Sequence, residues 1–160
     1  SRFVNTGATH VRGLDLSADY AFDVGESRFD LAGSFSWLVD YELQLTPTSQ
    51  MDDYVDLAGQ PVDLRGRVSG GWTRGDLSGL LAVNYGYHDA EGRAVDAWTT
   101  FDAQLTWTPS AQRDLSLTLT VQNLFDTPPP FVDGPTGVGY DPANADPVGR
   151  FAAVQLSKRW

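Results

Sequence analysis

Apolar and polar residues alternate with period two along almost the whole chain, and helical spacing is nearly absent. Such alternation marks strands that are dry on one face and wet on the other. It predicts seven strands. The first runs from about Thr6 to Phe22, with Leu14, Leu16, Ala18, Tyr20 and Phe22 opposite Gly13, Asp15, Ser17, Asp19 and Ala21. Asp23-Val24-Gly25-Glu26 is a short turn. The second runs from Ser27 to about Leu45. Its apolar face reads Phe29, Leu31, Gly33, Phe35, Trp37, Val39, Tyr41 and Leu43, and its polar face begins at Arg28 and Asp30 and ends at Asp40, Glu42 and Gln44. Thr46 to Pro61 is a polar loop. The third strand, Val62 to Thr73, sets Val62, Leu64, Val68 and Trp72 against Asp63, Arg65 and Arg67. Arg74-Gly75-Asp76 turns the chain into the fourth, Leu77 to Tyr87, and His88 to Val95 is a loop. The fifth covers about Asp96 to Thr108. Pro109 to Arg113 is a turn. In the sixth, Leu115, Leu117, Leu119 and Val121 oppose Ser116, Thr118, Thr120 and Gln122. Asp126 to Val148 is a long loop rich in Pro, Gly and Asp. Gly149 to Trp160 is the last strand.

Alternation also suits a soluble sandwich, whose apolar face turns inward. Three features favour a membrane barrel. The strands exceed the usual soluble length of about 5–6 residues, and a membrane strand needs about 9–11. Short turns alternate with long loops, as in outer-membrane barrels with short periplasmic and long external connections. The aromatics form two belts on the apolar face. Tyr20, Phe22, Phe29, Trp72, Trp107 and Trp160 lie by the short turns or the terminus; Trp37, Tyr41, Tyr85 and Tyr87 lie toward the long loops. Amphipathic rings favour both membrane interfaces. Leu81, Val83, Leu105, Trp107, Leu117, Leu119 and Val121 are therefore expected on the lipid side, and Asn84, Gln104 and Thr118 on the lumen side.

Composition changes this picture little. The chain is 41% hydrophobic and 12% aromatic, which speaks for order over an acidic disordered tract. Its formal charge of −10 and pI of about 4.3 oppose nucleic acid as a partner. There is no cysteine, hence no disulfide, thiol nucleophile or cysteine metal site. No apolar run of about 18 residues encodes a membrane helix. Ser1 to Asn5 lacks a signal-peptide pattern, so further chain is expected upstream.

Several short motifs follow one another in order and in register. Val121-Gln122-Asn123-Leu124-Phe125-Asp126, followed by Pro128-Pro129, is similar to the penultimate strand and loop start in the C-terminal barrel of TonB-dependent receptors. Gly139-Tyr140-Asp141 and Gly149-Arg150 continue the likeness. Asn5-Thr6-Gly7 and Arg12-Gly13-Leu14-Asp15-Leu16 resemble an upstream strand, with Asp15 where Glu is usual. Val154, Leu156 and the terminal Trp160 resemble the outer-membrane assembly signal, from which Lys158 departs.

The resemblance implies an all-β fold: an antiparallel up-and-down meander of about seven long strands, the C-terminal part of a 22-stranded transmembrane barrel. Residues 1–160 would then be barrel only, with the signal peptide, TonB-contacting segment and plug domain upstream. It also implies energised uptake of a scarce ligand, an iron–siderophore complex first, or cobalamin or a saccharide. The location would be the outer membrane of a Gram-negative bacterium. The partners would be outer-membrane lipid, upstream strands and plug, and TonB through segments beyond this chain.

Candidate chemistry is sparse. His10 and His88 are the only histidines and lack metal-ligand spacing. Met51-Asp52-Asp53-Tyr54, Asp133, Asp141 and Asp146 put carboxylates in loops without EF-hand spacing, which suits solubility better than calcium. Asp15 and Asp19, and Asp63, Arg65 and Arg67, share the polar face and would either touch plug or ligand or form a lumen charge network. No nucleophile–base pair, P-loop or dinucleotide fingerprint appears. No catalytic residue, metal or cofactor is expected, and the ligand-binding residues stay open. Two other classes remain: a complete small barrel with a structural or adhesive role, and a soluble secreted β-sandwich that binds a partner.

Overall fold

The computed structural model describes residues 7–57, 59–90, 93–112, 114–133 and 137–159, with backbone alone at 87–90 and 93–95. Eight strands form one antiparallel sheet: β1 (Thr9–Val24), β2 (Ser27–Leu43), β3 (Asp52–Asp53), β4 (Leu64–Arg74), β5 (Leu77–Ala90), β6 (Arg93–Trp107), β7 (Leu115–Gln122) and β8 (Phe151–Lys158). Their order is β1-β2-β4-β5-β6-β7-β8, with the two-residue β3 paired to β2 beyond the end of β4. Each long strand thus lies beside its sequence neighbour, as an up-and-down meander requires. The seven long strands match the alternating segments.

Register carries the alternation from strand to strand. One row joins Tyr20, Leu31, Gly70, Leu81, Ala103, Val121 and Ala152. The adjacent row, on the other face, joins Ala21, Asp30, Gly71, Leu80, Gln104, Thr120 and Ala153. The residues expected to face lipid and those expected to face the lumen fall on opposite faces accordingly.

Among the described residues nothing packs over the apolar face. Leu16, Leu81, Val154 and Leu156 are 64%, 63%, 70% and 68% exposed. Among the described residues only Val62, Ala82 and Val132 are buried apolar side chains. A sandwich would bury this face between two sheets, so the sandwich reading fails. No pairing joins β1 to β8 among the described residues, so the sheet is open and is not a complete small barrel.

Two short turns are tighter than the sequence suggested. Gly25 and Gly75 take φ of +60° and +56° at the first central position of two-residue hairpins. Glycine suits a type II′ turn there, whose twist matches its strands. Arg74 and Glu26 link these turns through an ion pair at 3.3 Å. Above them, Tyr20, Phe22 and Phe29 stack at centroid distances of 5.7 and 5.3 Å, and Trp72 pairs with Phe29. This is the lower aromatic belt. Trp160 lies outside the described residues, as do Asn5 and Thr6.

The upper ends of the strands depart from expectation in three ways. First, the register of β1 and β2 shifts between Arg12 and Gly13, which makes Val39 an extra residue in β2. A bulge shifts the alternation by one. Arg12 pairs with Asp40 at 2.5 Å and His10 with Glu42 at 3.2 Å, on the same face as Leu14 and Trp37. Tyr41 and Leu43 therefore turn to the polar face, and Tyr41 is not part of the upper belt. From Phe29 to Asp40 the strand rises roughly 36 Å at about 3.3 Å per residue, or about 28 Å when tilted near 40°. The first charges on the apolar face thus begin just above an apolar band of about 25 Å.

Second, β5 and β6 continue to Ala90 and from Arg93, where a loop from His88 to Val95 was expected. Pairing resumes after a register shift between Gly86 and His88. A hairpin that rises beyond the apolar band is wet on both faces, so its residues need not alternate. Third, the strand expected from Val62 begins at Leu64, and Val62 is buried beneath the loops.

Candidate functional site

On the polar face, β4 presents Arg65 and Arg67 on either side of Gly66. The glycine leaves the opposite face to the Phe35 ring, whose nearest atom would stand 2.7 Å from a Cβ added at 66. The same register rows bring Asn84 of β5 beside Arg67, and Thr100 of β6 beside Asn84.

These groups form one network. Arg67 donates through Nη1 to Asn84 Oδ1, and to Asp102 Oδ2 at 3.3 Å. Asn84 Nδ2 donates to Asp102 Oδ2 at 2.8 Å and to Thr100 Oγ1 at 3.2 Å. The other Asp102 oxygen accepts the Asn123 N–H at 3.1 Å. A carboxylate holding two side-chain donors and a backbone donor is well fixed. Arg67 thus belongs to a polar network, and the carboxylate it meets is Asp102. The Asp63 backbone N–H donates to Asp56 Oδ1 at 2.6 Å, within the loop before β4.

Arg65 is held from above. Its Nη2 donates to Asn144 Oδ1, in the segment between β7 and β8. That segment folds back over the polar face and meets the segment between β2 and β4. Asp141, only 4% exposed, joins them. One of its oxygens accepts the Gly59 N–H at 3.0 Å and Asn144 Nδ2 at 2.7 Å; the other accepts the Ala143 N–H at 2.9 Å. Asn144 Nδ2 also reaches the Gln60 carbonyl at 2.7 Å. The side chains of Val62 and Val132 are buried near this junction.

The result is an open cleft of about 450 Å³ on the polar face, lined by Asp15, Arg65, Arg67, Asn84, Trp98, Thr100 and Asn144 among others. Apolar surface makes up most of its lining, and Arg65, Arg67, Asn84, Trp98 and Asn144 bring hydrogen-bond donors to it; a guanidinium carries five donors and suits an anionic, oxygen-rich molecule. Sequence reading found Arg65, Arg67 and Asp15 through their alternation. It missed Trp98, which interrupts the small polar residues of this face at Thr100 and Asp102, and Asn144, which has no local signal.

The acidic loop residues are spoken for differently than expected. Asp53 Oδ1 accepts the N–H groups of Tyr41 and Val55 at 3.2 and 3.0 Å, and Asp146 Oδ1 that of Val148 at 2.9 Å. With Asp141, these carboxylates shape the loops, a role beyond solubility. No group of three or more potential metal-ligating side chains occurs among the described residues. His10 lies with Glu42 on the apolar side, away from the cleft; the His88 side chain lies outside the described atoms. Val154 and Leu156 stand on the apolar face of β8, paired with Leu119 and Leu117.

A family model described as "TonB dependent receptor-like, beta-barrel" matches residues 1–124, from the segment before β1 to just past β7. No curated protein and no solved structure matches the chain. The family match covers most of the chain and agrees with the open antiparallel meander, its unpacked apolar face and its aromatic belt. The chain belongs to the TonB-dependent receptor β-barrel family.

Proposed function

We propose that this chain is wall and outer loops in the C-terminal part of a 22-stranded outer-membrane receptor of a Gram-negative bacterium. The apolar face meets lipid and the polar face lines the lumen beside a plug domain encoded upstream. The receptor takes up a scarce ligand with energy relayed by TonB. An iron–siderophore complex is favoured over cobalamin or a saccharide. The observation that carries this choice is the pairing of Arg65 and Arg67 in one lumen cleft beneath inward-folded loops. Ferric siderophores are commonly anionic and oxygen-rich, and guanidinium groups bind such oxygens in forked geometry.

The test uses the full-length receptor and four probes: a ferric hydroxamate, a ferric catecholate, cobalamin and a maltooligosaccharide. One of the ferric complexes should bind. A hydrogen bond to a charged group is worth roughly 1.5–3 kcal/mol. Arg65→Ala should therefore weaken that binding by about ten- to a hundredfold, and Arg65→Lys by less. Binding of cobalamin or the saccharide alone would overturn the ligand choice.

The terminal strand has a separate proposed role. Val154, Leu156 and Trp160 form the assembly signal, and an aromatic residue such as Trp suits a membrane interface. Deleting Trp160 should reduce the folded receptor recovered from outer membranes. The affinity of assembled molecules should not change, because ligand enters from the opposite end. Normal assembly with altered affinity would place this terminus wrongly.

A further inference from the structure

The segment 123–150 leaves β7 and returns as β8, and its two ends are fastened together. Asn123 turns the chain out of β7 with φ +48°. Its side chain exchanges two hydrogen bonds with Thr127: Oδ1 accepts the Thr127 N–H and Nδ2 donates to the Thr127 carbonyl, both at 2.9 Å. Its own N–H is held by Asp102, and the Leu124 N–H donates to the Phe101 carbonyl at 2.7 Å. Both contacts tie this end to β6.

Asp126 then reaches across to the returning chain. It has φ +57°, and its Oδ1 accepts the Arg150 N–H at 2.8 Å. Arg150 Nη1 in turn donates to the Leu124 carbonyl at 3.4 Å. Gly149 sits against this contact with φ +71°; a Cβ there would stand 2.7 Å from the same Asp126 oxygen. Glycine is required twice over, by the backbone angle and by the close approach. The first ladder pair beyond the clasp is Gln122 with Phe151.

We infer that Asn123, Asp126 and Gly149 are positioning residues for barrel closure: they bring β8 onto β7 in register during folding, and they do not recognise ligand. The need is physical. Closing a loop costs entropy that grows with its length, and β7 and β8, at eight residues each, have fewer ladder pairs to offset it than the 11 to 17 residues of β1, β2, β4, β5 and β6 allow. A slip of one residue would turn every side chain of β8 to the other face. Val154 and Leu156 would then enter the lumen, and Gln155 and Ser157 would meet lipid. A clasp beside Gln122 and Phe151 removes that freedom. Neither Asp126 nor Gly149 lines the cleft of Arg65 and Arg67.

The inference rests on the barrel reading above only in that the sheet closes through β8. Its test follows folding, not uptake. Full-length receptor carrying Asp126→Ala, Asp126→Asn, Gly149→Ala or the loop control Asp146→Ala is unfolded in urea and refolded into phosphatidylcholine vesicles. Folding is read by heat-modifiable mobility. Asp126→Ala and Gly149→Ala should slow folding at least fivefold and leave the unfolding rate of assembled barrel near wild type, as for contacts formed in the transition state. Asp126→Asn keeps the accepting oxygen and tolerates positive φ, so it should fold within twofold of wild type, as should Asp146→Ala. If Asp126→Ala gives no folded barrel at all, rescue by Asp126→Asn still supports the clasp. Unchanged folding with faster unfolding would reduce it to an ordinary native contact and overturn the inference. Failure of Asp126→Asn would do the same. A receptor that behaves as expected here yet binds no ferric siderophore would refute the proposed ligand and leave the clasp standing.

Discussion

Arginine in place of Leu81 should abolish most assembled receptor, while arginine in place of the adjacent Leu80 should leave assembly nearly intact. Both are leucines on β5 and both are exposed on the sheet, at 63% and 36%. They lie on opposite faces. Leu81 shares its row with Leu31, Gly70 and Ala103, between the lower belt at Phe29 and Trp72 and the upper rings at Trp37 and Tyr85. Leu80 shares its row with Gly71 and Gln104 on the polar face. A lipid-facing arginine near the bilayer midplane costs about 2–4 kcal/mol, whereas lumen positions tolerate charge. That cost is a factor of roughly thirty to a thousand in the folding equilibrium. Denaturant unfolding of the two full-length variants in lipid vesicles would measure it. Equal effects, or a larger effect at Leu80, would show that the faces have been assigned the wrong way round.

The same alternation explains what could be read from the sequence and what could not. Between the belts, every side chain must satisfy either lipid or water, so Leu81, Leu105 and Leu119 on one face and Asn84, Gln104 and Thr118 on the other announce themselves. Above the apolar band that demand lapses. The Gly86 to Ala90 stretch of β5 and its partner from Arg93 pair as strand without a readable pattern. The bulge at Val39 was hidden for a sharper reason. In β2 the polar phase of Ser34 and Ser36 resumes, after Leu38, at Asp40 and Glu42, so the alternation shows no shift. In β1, however, the apolar phase of Leu16 and Leu14 turns to Arg12 and His10. Setting those two side chains opposite Asp40 and Glu42 demands one extra residue in β2, which the register supplies.

The cleft was half legible for similar reasons. Arg65 and Arg67 sit on a strand, where parity fixes their face. Asn144 and Asp141 sit in a long loop, and their partners Arg65 and Gly59 are far away in sequence. No local rule connects them. The Asn123 to Asp126 motif was recognised by resemblance, but its work depends on Gly149 and Arg150, and only the fold brings those residues to it.

Expressed by itself, the 160-residue chain should form aggregates or edge-joined oligomers and give no stable monomer. Among the described residues β1 pairs only with β2, and β8 only with β7, so each presents one unpaired edge. The edge of β1 is long, at 16 residues. Unpaired strand edges recruit other strands. Lipid offers no escape, because an unsatisfied backbone group there costs several kcal/mol, which is why spanning sheets close. Water offers none either, since Leu14, Leu16, Tyr20, Leu81, Val154 and Leu156 form part of a broad exposed apolar face. In the receptor both problems vanish together: neighbouring strands cover the edges and lipid covers the face. Sedimentation of the refolded chain in buffer, before and after detergent removal, decides the matter. Higher-order species that grow as detergent is withdrawn are the expected result. A monodisperse monomer in buffer without detergent would mean that this face is packed in solution, and the single open sheet would have to be abandoned.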